Sequence, residues 1–322
     1  MKKLVQFLML AMFMFVLAAC SDGEESTEKK DTNEETTEQT ESKETETSFP
    51  VTVTDDSGEE VVLEKAPERI ISVIPSATEI IFALGLGDKV VGVTENDNYP
   101  EEVLEIEKVG AFELNIEKIV SLEPDLVVAD VLNGEAVEQL RNKGVKVLVV
   151  GASSVEETYE DIVLVGKATG TTEKAEGLVQ EMKVHQAEIE QIVSEIPEEE
   201  RKTVWIEIGE ELFTAANDTF LNELVTLAGG ENIMIDQEGW PQVSEEEVIE
   251  KNPDVILLTY GSYVENAIDK VLERDSWQDI TAIKEKQVYS LDSDMTERTG
   301  PRIIEGLESI AAFLYPEYFE EN

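Results

Sequence analysis

The stretch Asn115-Ile-Glu117-Lys-Ile-Val-Ser-Leu-Glu-Pro124-Asp125-Leu-Val-Val returns later in the chain as Ser244-Glu-Glu246-Glu-Val-Ile-Glu-Lys-Asn-Pro253-Asp254-Val-Ile-Leu. In each copy a glutamate stands seven residues ahead of a Pro-Asp pair, and an aliphatic run follows. The first half of each copy has helical spacing with a carboxylate near its start. The proline cannot continue a helix, and the unbroken apolar run suits a strand buried on both faces of a parallel sheet. A unit used twice, about half the folded chain apart, predicts two α/β lobes of similar build. Two such lobes enclose a cleft, and clefts between domains are preferred ligand sites.

Upstream of the first copy, residues 51–63 alternate and turn through Asp55-Asp56-Ser57-Gly58, which predicts a hairpin. Arg69-Ile-Ile-Ser-Val-Ile-Pro75 predicts a buried strand. Ser76 or Thr78 is then expected to cap the next helix, with Glu79 in its first turn and Gly85 at its end. Residues 89–93 form a further strand that leads into the loop 94–100. After the repeat strand at 126–129 come a helix near 135–143 and a strand at 145–150. From 171 to 196 the apolar positions Ala175, Leu178, Val179, Met182, Ile189, Ile192, Val193 and Ile196 keep helical spacing, and Pro197 ends the run. At about 1.5 Å per residue such a helix is roughly 35–40 Å long, either a strut between lobes or an ordinary surface helix of the first. Downstream, 203–208, 255–258 and 288–291 predict strands, with helices at 221–228 and 301–314.

The two ends of the chain have other compositions. Residues 1–19 read as an export signal, with Lys2 and Lys3 ahead of an apolar run too short for a membrane span. It closes on Leu17-Ala18-Ala19-Cys20, which resembles the lipobox of bacterial lipoproteins, so Cys20 is the expected lipidation site. Two acyl chains on one residue give stable anchoring. The mature protein is therefore expected on the outer face of the cytoplasmic membrane. Cys20 is the only cysteine, which excludes a disulfide framework within the chain. Residues 20–48 carry 11 acidic against 3 basic residues and no large apolar side chain, the composition of an extended tether. The formal net charge of -47 excludes nucleic acid as a partner and reads as a solvated surface suited to a salty or alkaline habitat.

Catalytic constellations are missing. The single histidine, His185, lies in the long helix and reads as a solvent-facing residue, so neither a histidine metal site nor a Ser-His-Asp triad is expected. Gly85-Leu-Gly87 lacks the third glycine of a dinucleotide fingerprint and precedes a strand. Gly151-Ala-Ser153-Ser-Val155 lacks the closing glycine of a nucleophile elbow. What remains are aromatic and polar residues in loops that follow predicted strands, where open α/β sheets bind ligands. They are Asn96, Asp97, Tyr99, Phe112, Asp130, Phe213, Trp240, Asp294 and Arg298. A bulky guest with apolar faces and amide edges would use such a set.

From residue 69 to 315 the chain resembles the substrate-binding proteins of ABC importers for vitamin B12, ferric siderophores and haem. The resemblance rests on Arg69-Ile-Ile-Ser with Pro75-Ser-Ala-Thr-Glu79, Tyr99-Pro100, Val109-Gly110, Asn115-Ile-Glu117, Pro124-Asp125-Leu, Gly229-Gly-Glu-Asn232, Trp240-Pro-Gln-Val-Ser244, Pro253-Asp254 and Gly300-Pro-Arg302. It implies an α/β fold of two Rossmann-like lobes joined by one long α-helix. The divisions are then 49–170 for the first lobe, 171–197 for the connecting helix and 198–322 for the second lobe.

Within that family the Trp240 motif is most similar to the cobalamin binders. The resemblance puts Phe213, Trp240, Asp294 and Arg298 at a corrinoid site. Asn96, Phe112 and Asp130 stand where those proteins carry a tyrosine and two tryptophans. It also aligns Glu117 and Glu246 with the carboxylates that dock on a permease, although two such glutamates are equally served by the helix dipole.

The expectation is a monomeric, lipid-anchored receptor, not an enzyme and without a resident cofactor. It would deliver cobalamin to an ABC permease and its ATPase subunits. A ferric-siderophore or haem receptor is the nearest alternative, and an extracellular α/β enzyme on a small substrate is the alternative of another class.

Overall fold

The computed structural model describes residues 48–319. The export signal, Cys20 and the tether up to Thr47 lie outside the described residues, as do 320–322. The hairpin is present as β1 (Val51–Thr54) and β2 (Glu60–Leu63), paired antiparallel. Asp55 fixes its turn. That carboxylate accepts the N–H of Ser57 at 3.0 Å, pairs with Arg141 at 2.6 Å and accepts the N–H of Val149 at 3.0 Å, which pins the hairpin to the first lobe.

Two four-stranded parallel sheets follow. The first contains β3 (Ile70–Ser72), β4 (Val90–Gly92), β5 (Leu126–Asp130) and β6 (Val147–Val150), in the spatial order β4-β3-β5-β6. The second contains β7 (Thr203–Glu207), β8 (Glu231–Asn232), β9 (Val255–Leu258) and β10 (Val288–Ser290), in the order β10-β9-β7-β8. Numbered within its own lobe, each sheet runs 2-1-3-4. The sequence repeat therefore marks the helix and third strand of each lobe.

The repeated Pro-Asp has a physical task. Asp125 Oδ2 accepts the N–H groups of Glu68 and Arg69 at 2.9 and 3.1 Å, at the entry to β3. Asp254 Oδ2 accepts the N–H and hydroxyl of Thr203 at 3.0 and 2.8 Å, at the entry to β7. In both lobes one aspartate thus sets the register between the first and third strands.

Strand alternation divides the buried side chains between the faces of each sheet. Ile70, Leu126, Val128, Leu148 and Val150 belong to one hydrophobic core, while Ile71, Val127, Ala129, Val147 and Val149 belong to another. In the second lobe Val204, Ile206, Val255 and Leu257 separate in the same way from Trp205, Ile256 and Leu258. The first-named groups of the two lobes form a single continuous core. Each fully buried leucine or isoleucine in it contributes about 1.5–3 kcal/mol relative to exposure.

The two halves of that core are bridged by helices. Helix Val155–Thr169, which the sequence reading did not anticipate, ends on Gly170. There φ is +82°, and a Cβ would stand 2.9 Å from the Phe49 ring. Helix Thr172–Ser194 follows, 23 residues long, and buries Ala175, Val179, Met182, Ile189 and Val193. It packs against helix Val155–Thr169 on one side and helix Ile303–Leu314 on the other. His185 does not simply face solvent, since its Nε2 lies 3.2 Å from the Glu308 carboxylate on that last helix.

Helix Pro75–Ala83 corrects two expectations. No side chain caps it; Pro75 opens it, where a missing N–H costs nothing. Ser76 and Thr78 are buried, and Thr78 donates its hydroxyl back to the Ile74 carbonyl at 3.3 Å. Glu79 accordingly falls beyond the first turn.

Candidate functional site

In an open parallel sheet the crevice lies beyond the carboxyl ends of the strands, where the strand order reverses. That point falls between β3 and β5 in the first lobe and between β7 and β9 in the second. The loops that leave these ends carry the candidate residues.

At the junction of the lobes a polar cluster closes the floor. Arg298, from the second lobe, donates to Glu79 Oε1 at 3.0 Å, to Asn98 Oδ1 at 2.8 Å and to the Asn96 carbonyl at 3.4 Å, all on the first lobe. It also pairs with Asp294 at 2.7 Å, and the Asn98 amide donates to the other Asp294 oxygen at 2.7 Å. Arg302 makes two bonds to Glu79, at 2.8 and 2.7 Å, and its guanidinium lies 4.0 Å from the centre of the Tyr99 ring. Hydrogen bonding to Glu79 holds the Arg302 pKa above its ordinary value, against the opposing effect of burial. Asn96, Asp294 and Arg298 are thus brought together.

Beside this cluster opens a cavity of about 580 Å³, lined by Asn98 from the first lobe and by Ser262, Tyr263, Ser290, Leu291, Asp292, Ser293 and Asp294 from the second. Its polar lining is dominated by hydroxyls and carboxylates, and no lysine or arginine is among these residues.

Phe213 and Trp240 sit on two loop segments that pair with each other. An antiparallel bridge joins Phe213 to Gln242, and the Thr214 N–H donates to the Pro241 carbonyl at 3.0 Å. Both rings remain substantially exposed. Beneath these loops, fully buried Glu207 at the end of β7 accepts from both Arg274 nitrogens, at 2.8 and 2.6 Å, and from the Trp205 indole at 2.9 Å. This is a brace that the sequence does not announce.

On the first lobe Phe112 is 94 % exposed. It stands on a turn that Gly110 makes possible: φ there is +116°, and a Cβ would approach the Glu113 carbonyl to 2.3 Å. Asp130 ends β5, and its carboxylate accepts the Leu132 N–H at 2.7 Å. Burial raises its pKa and the neighbouring Asp56 charge adds to that, while the Leu132 N–H opposes. Among the described residues neither Phe112 nor Asp130 shares a hydrogen bond, ion pair or ring contact with another of the candidates. Asp97 is buried and braces its loop through one oxygen, which accepts the N–H and hydroxyl of Thr94 at 2.7 and 2.5 Å, while its Oδ1 has no hydrogen-bond partner among the described residues.

Several residues at the strand ends escaped the sequence reading. Tyr263, 70 % exposed beyond β9, and Leu132, 90 % exposed beyond β5, were within reach of the rule that loops after strands bear ligands. Asn98, in the loop 94–100 between two named candidates, was within reach of the same rule, while Glu79, inside a helix, carried no such signal.

Glu117 and Glu246 occupy the same place in the two repeats, the second residue of helices Ile116–Ser121 and Glu245–Lys251. Those helices are capped by Asn115 and Ser244, whose side chains accept the Lys118 and Glu247 N–H groups at 3.0 and 3.3 Å. Both glutamates are exposed.

Among the described residues no group of three or more His, Cys, Asp or Glu side chains is arranged to hold a metal ion, and no helix is long and apolar enough to cross a membrane.

Comparison with known proteins adds relatives to this geometry. Residues 70–295 match the family model described as periplasmic binding protein. The chain is 43 % identical over 280 residues to the ABC transporter substrate-binding lipoprotein YvrC of Bacillus subtilis, covering 85 % of this chain and 88 % of that one. It is 31 % identical over 253 residues to the vitamin B12-binding protein of Vibrio cholerae, covering 77 % and 89 %. A solved structure of a possible iron-binding periplasmic solute-binding protein from Staphylococcus epidermidis superposes with a TM-score of 0.71 at 34 % identity, over 78 % of this chain and all of that one.

Proposed function

The chain belongs to the periplasmic binding protein family and is the substrate-binding component of an ABC transporter, not an enzyme; from that premise we propose that its ligand is a corrinoid, cobalamin, held between the two lobes. The observation that carries this reading is a cavity whose polar lining holds no lysine or arginine and whose wall includes one exposed aromatic ring, Tyr263. Phe112, Phe213, Trp240 and Tyr263 offer flat apolar area to a macrocycle. Asn98, Ser262, Ser290, Ser293 and Asp294 offer acceptors to its peripheral amides. A ferric catecholate or haem, each of them anionic, would call for free lysine or arginine in the same lining. The likeness to a vitamin B12-binding protein supports the same choice.

Delivery runs through Glu117 and Glu246, which present equivalent negative points to a two-fold permease coupled to its ATPase subunits. Contacts of this kind set register and encounter rate more than raw affinity. In this reading the monomer is held at the outer face of the membrane by lipid on Cys20. Calorimetric titration of the purified protein with cyanocobalamin, a ferric hydroxamate, a ferric catecholate and haem tests the ligand. Cyanocobalamin is expected to bind most tightly; tight binding of another member of the panel with no response to cyanocobalamin overturns the assignment.

A further inference from the structure

Glu79 is only 3 % exposed, yet both of its ionic partners belong to the other lobe. One Oε1 atom receives Arg298 at 3.0 Å and Arg302 at 2.7 Å, while Oε2 receives Arg302 at 2.8 Å. The fourth member, Asp294, takes Arg298 at 2.7 Å on the side of the cavity. Two guanidinium groups and two carboxylates therefore meet at the cleft floor. Its buried neighbours on the same helix are Ser76, Ala77, Thr78, Ile80 and Ile81, none of which carries a charge. A buried carboxylate at such a position is tolerated because it is paired, and its removal leaves an uncompensated charge behind.

We propose that Glu79 determines the ligand selectivity of the cleft: by cancelling the second arginine it keeps the floor electrically balanced, and it positions Arg298 against Asp294 at the edge of the cavity. The proposal rests on the corrinoid reading and deepens it. A neutral ligand with amide edges meets acceptors and a satisfied floor. An anionic chelate meets the carboxylate of Asp292 in the lining and a floor whose two arginines are already matched by Glu79 and Asp294, a repulsive element of the kind that specific sites use against wrong guests. Without the Glu79 charge the floor carries one positive charge in excess, and selectivity shifts towards anions.

The test measures affinity of the full mature chain for cyanocobalamin, which is neutral overall, and for haem, which carries two carboxylates, alongside a thermal melt. Glu79→Gln is expected to weaken cyanocobalamin binding and to strengthen haem binding about tenfold, a gain that fades with added salt. The double variant Glu79→Gln/Arg302→Gln restores the balance and is expected to lose the haem gain. Asp294→Asn removes a charge from the same arginine at a partly exposed site, so it keeps the test alive should Glu79→Gln not fold, and it must shift the preference in the same direction. Equal weakening of both ligands, or a haem gain that survives in the double variant, overturns the proposal. Failure of the unaltered protein to bind cyanocobalamin at all overturns the corrinoid reading instead, while the shift in haem affinity between variants still judges the role of Glu79.

Discussion

Asp161 is the side chain whose ionisation bears most directly on stability. It is buried, accepts the N–H groups of Gly151 and Ala152 at 3.2 and 3.0 Å, and shares a hydrogen bond with Asp56 of the hairpin turn. Burial, that hydrogen bond and the Asp56 charge push its pKa up to about 8, against the two N–H donors. An acid whose folded pKa exceeds its unfolded value, about 4, holds its proton more tightly when folded, so stability is lost as pH rises from about 4 towards 8. Asp161→Asn keeps an acceptor for the two N–H groups and gives Asp56 a donor. It is expected to flatten the slope and to raise stability at pH 9 by on the order of 2 kcal/mol. Urea unfolding of both proteins at pH 5 and pH 9 checks this, and an equal change at the two values would refute it. Asp125 has the opposite sign: burial raises its pKa, but the Glu68 and Arg69 N–H groups and the Lys65 charge outweigh burial and lower it, so its contribution is present above the unfolded value and fades in acid. None of this pairing was legible in the chain, because Asp56 meets Asp161, and Glu79 meets Arg302, only through the folding of distant segments onto each other.

At the scale of elements, the repeated helix and strand are the part the sequence announces most clearly. Pro124 and Pro253 stop their helices, the aliphatic runs become β5 and β9, and each aspartate is spent on the entry of its neighbouring strand. That use explains the aspartates but leaves the two glutamates without a hydrogen-bond or ion-pair partner of their side chains among the described residues, so the docking role proposed for them has its own test. Glu117→Lys together with Glu246→Lys is expected to abolish uptake into cells while the affinity of the purified protein for cyanocobalamin stays unchanged. Loss of ligand binding itself would show that the two glutamates serve the cleft. The loops were less legible than the strands. Their aromatic residues could be named from position, but which of them pair, as Phe213 does with Gln242 beside Trp240, depends on backbone bridges between segments far apart in sequence. Short elements such as β8 were missed because two residues carry no period.

For the molecule as a whole, the decisive feature is that one face of each sheet drains into a common apolar core, carried across by helices Val155–Thr169, Thr172–Ser194 and Ile303–Leu314. Opening the lobes widely would expose that core to water, at roughly 25 cal/mol for each Å² uncovered. Hinge motion is therefore restricted, and small-angle scattering is expected to give nearly the same radius of gyration before and after cyanocobalamin is added. A large contraction would contradict it. The two-lobe plan itself could be read from the repeat, because a pattern used twice in order is a local property of the chain. The sharing of the core could not, since it depends on which face of each sheet the long helix covers.

An interior held in common leaves the polypeptide with no convenient seam. A gene cut after the long helix would yield pieces with half of an oily surface left wet, fated for clumping or digestion rather than independent life. Descendants of this chain are thereby denied the trick of trading halves with their cousins, and a change of cargo must come by rewriting the rims one residue at a time.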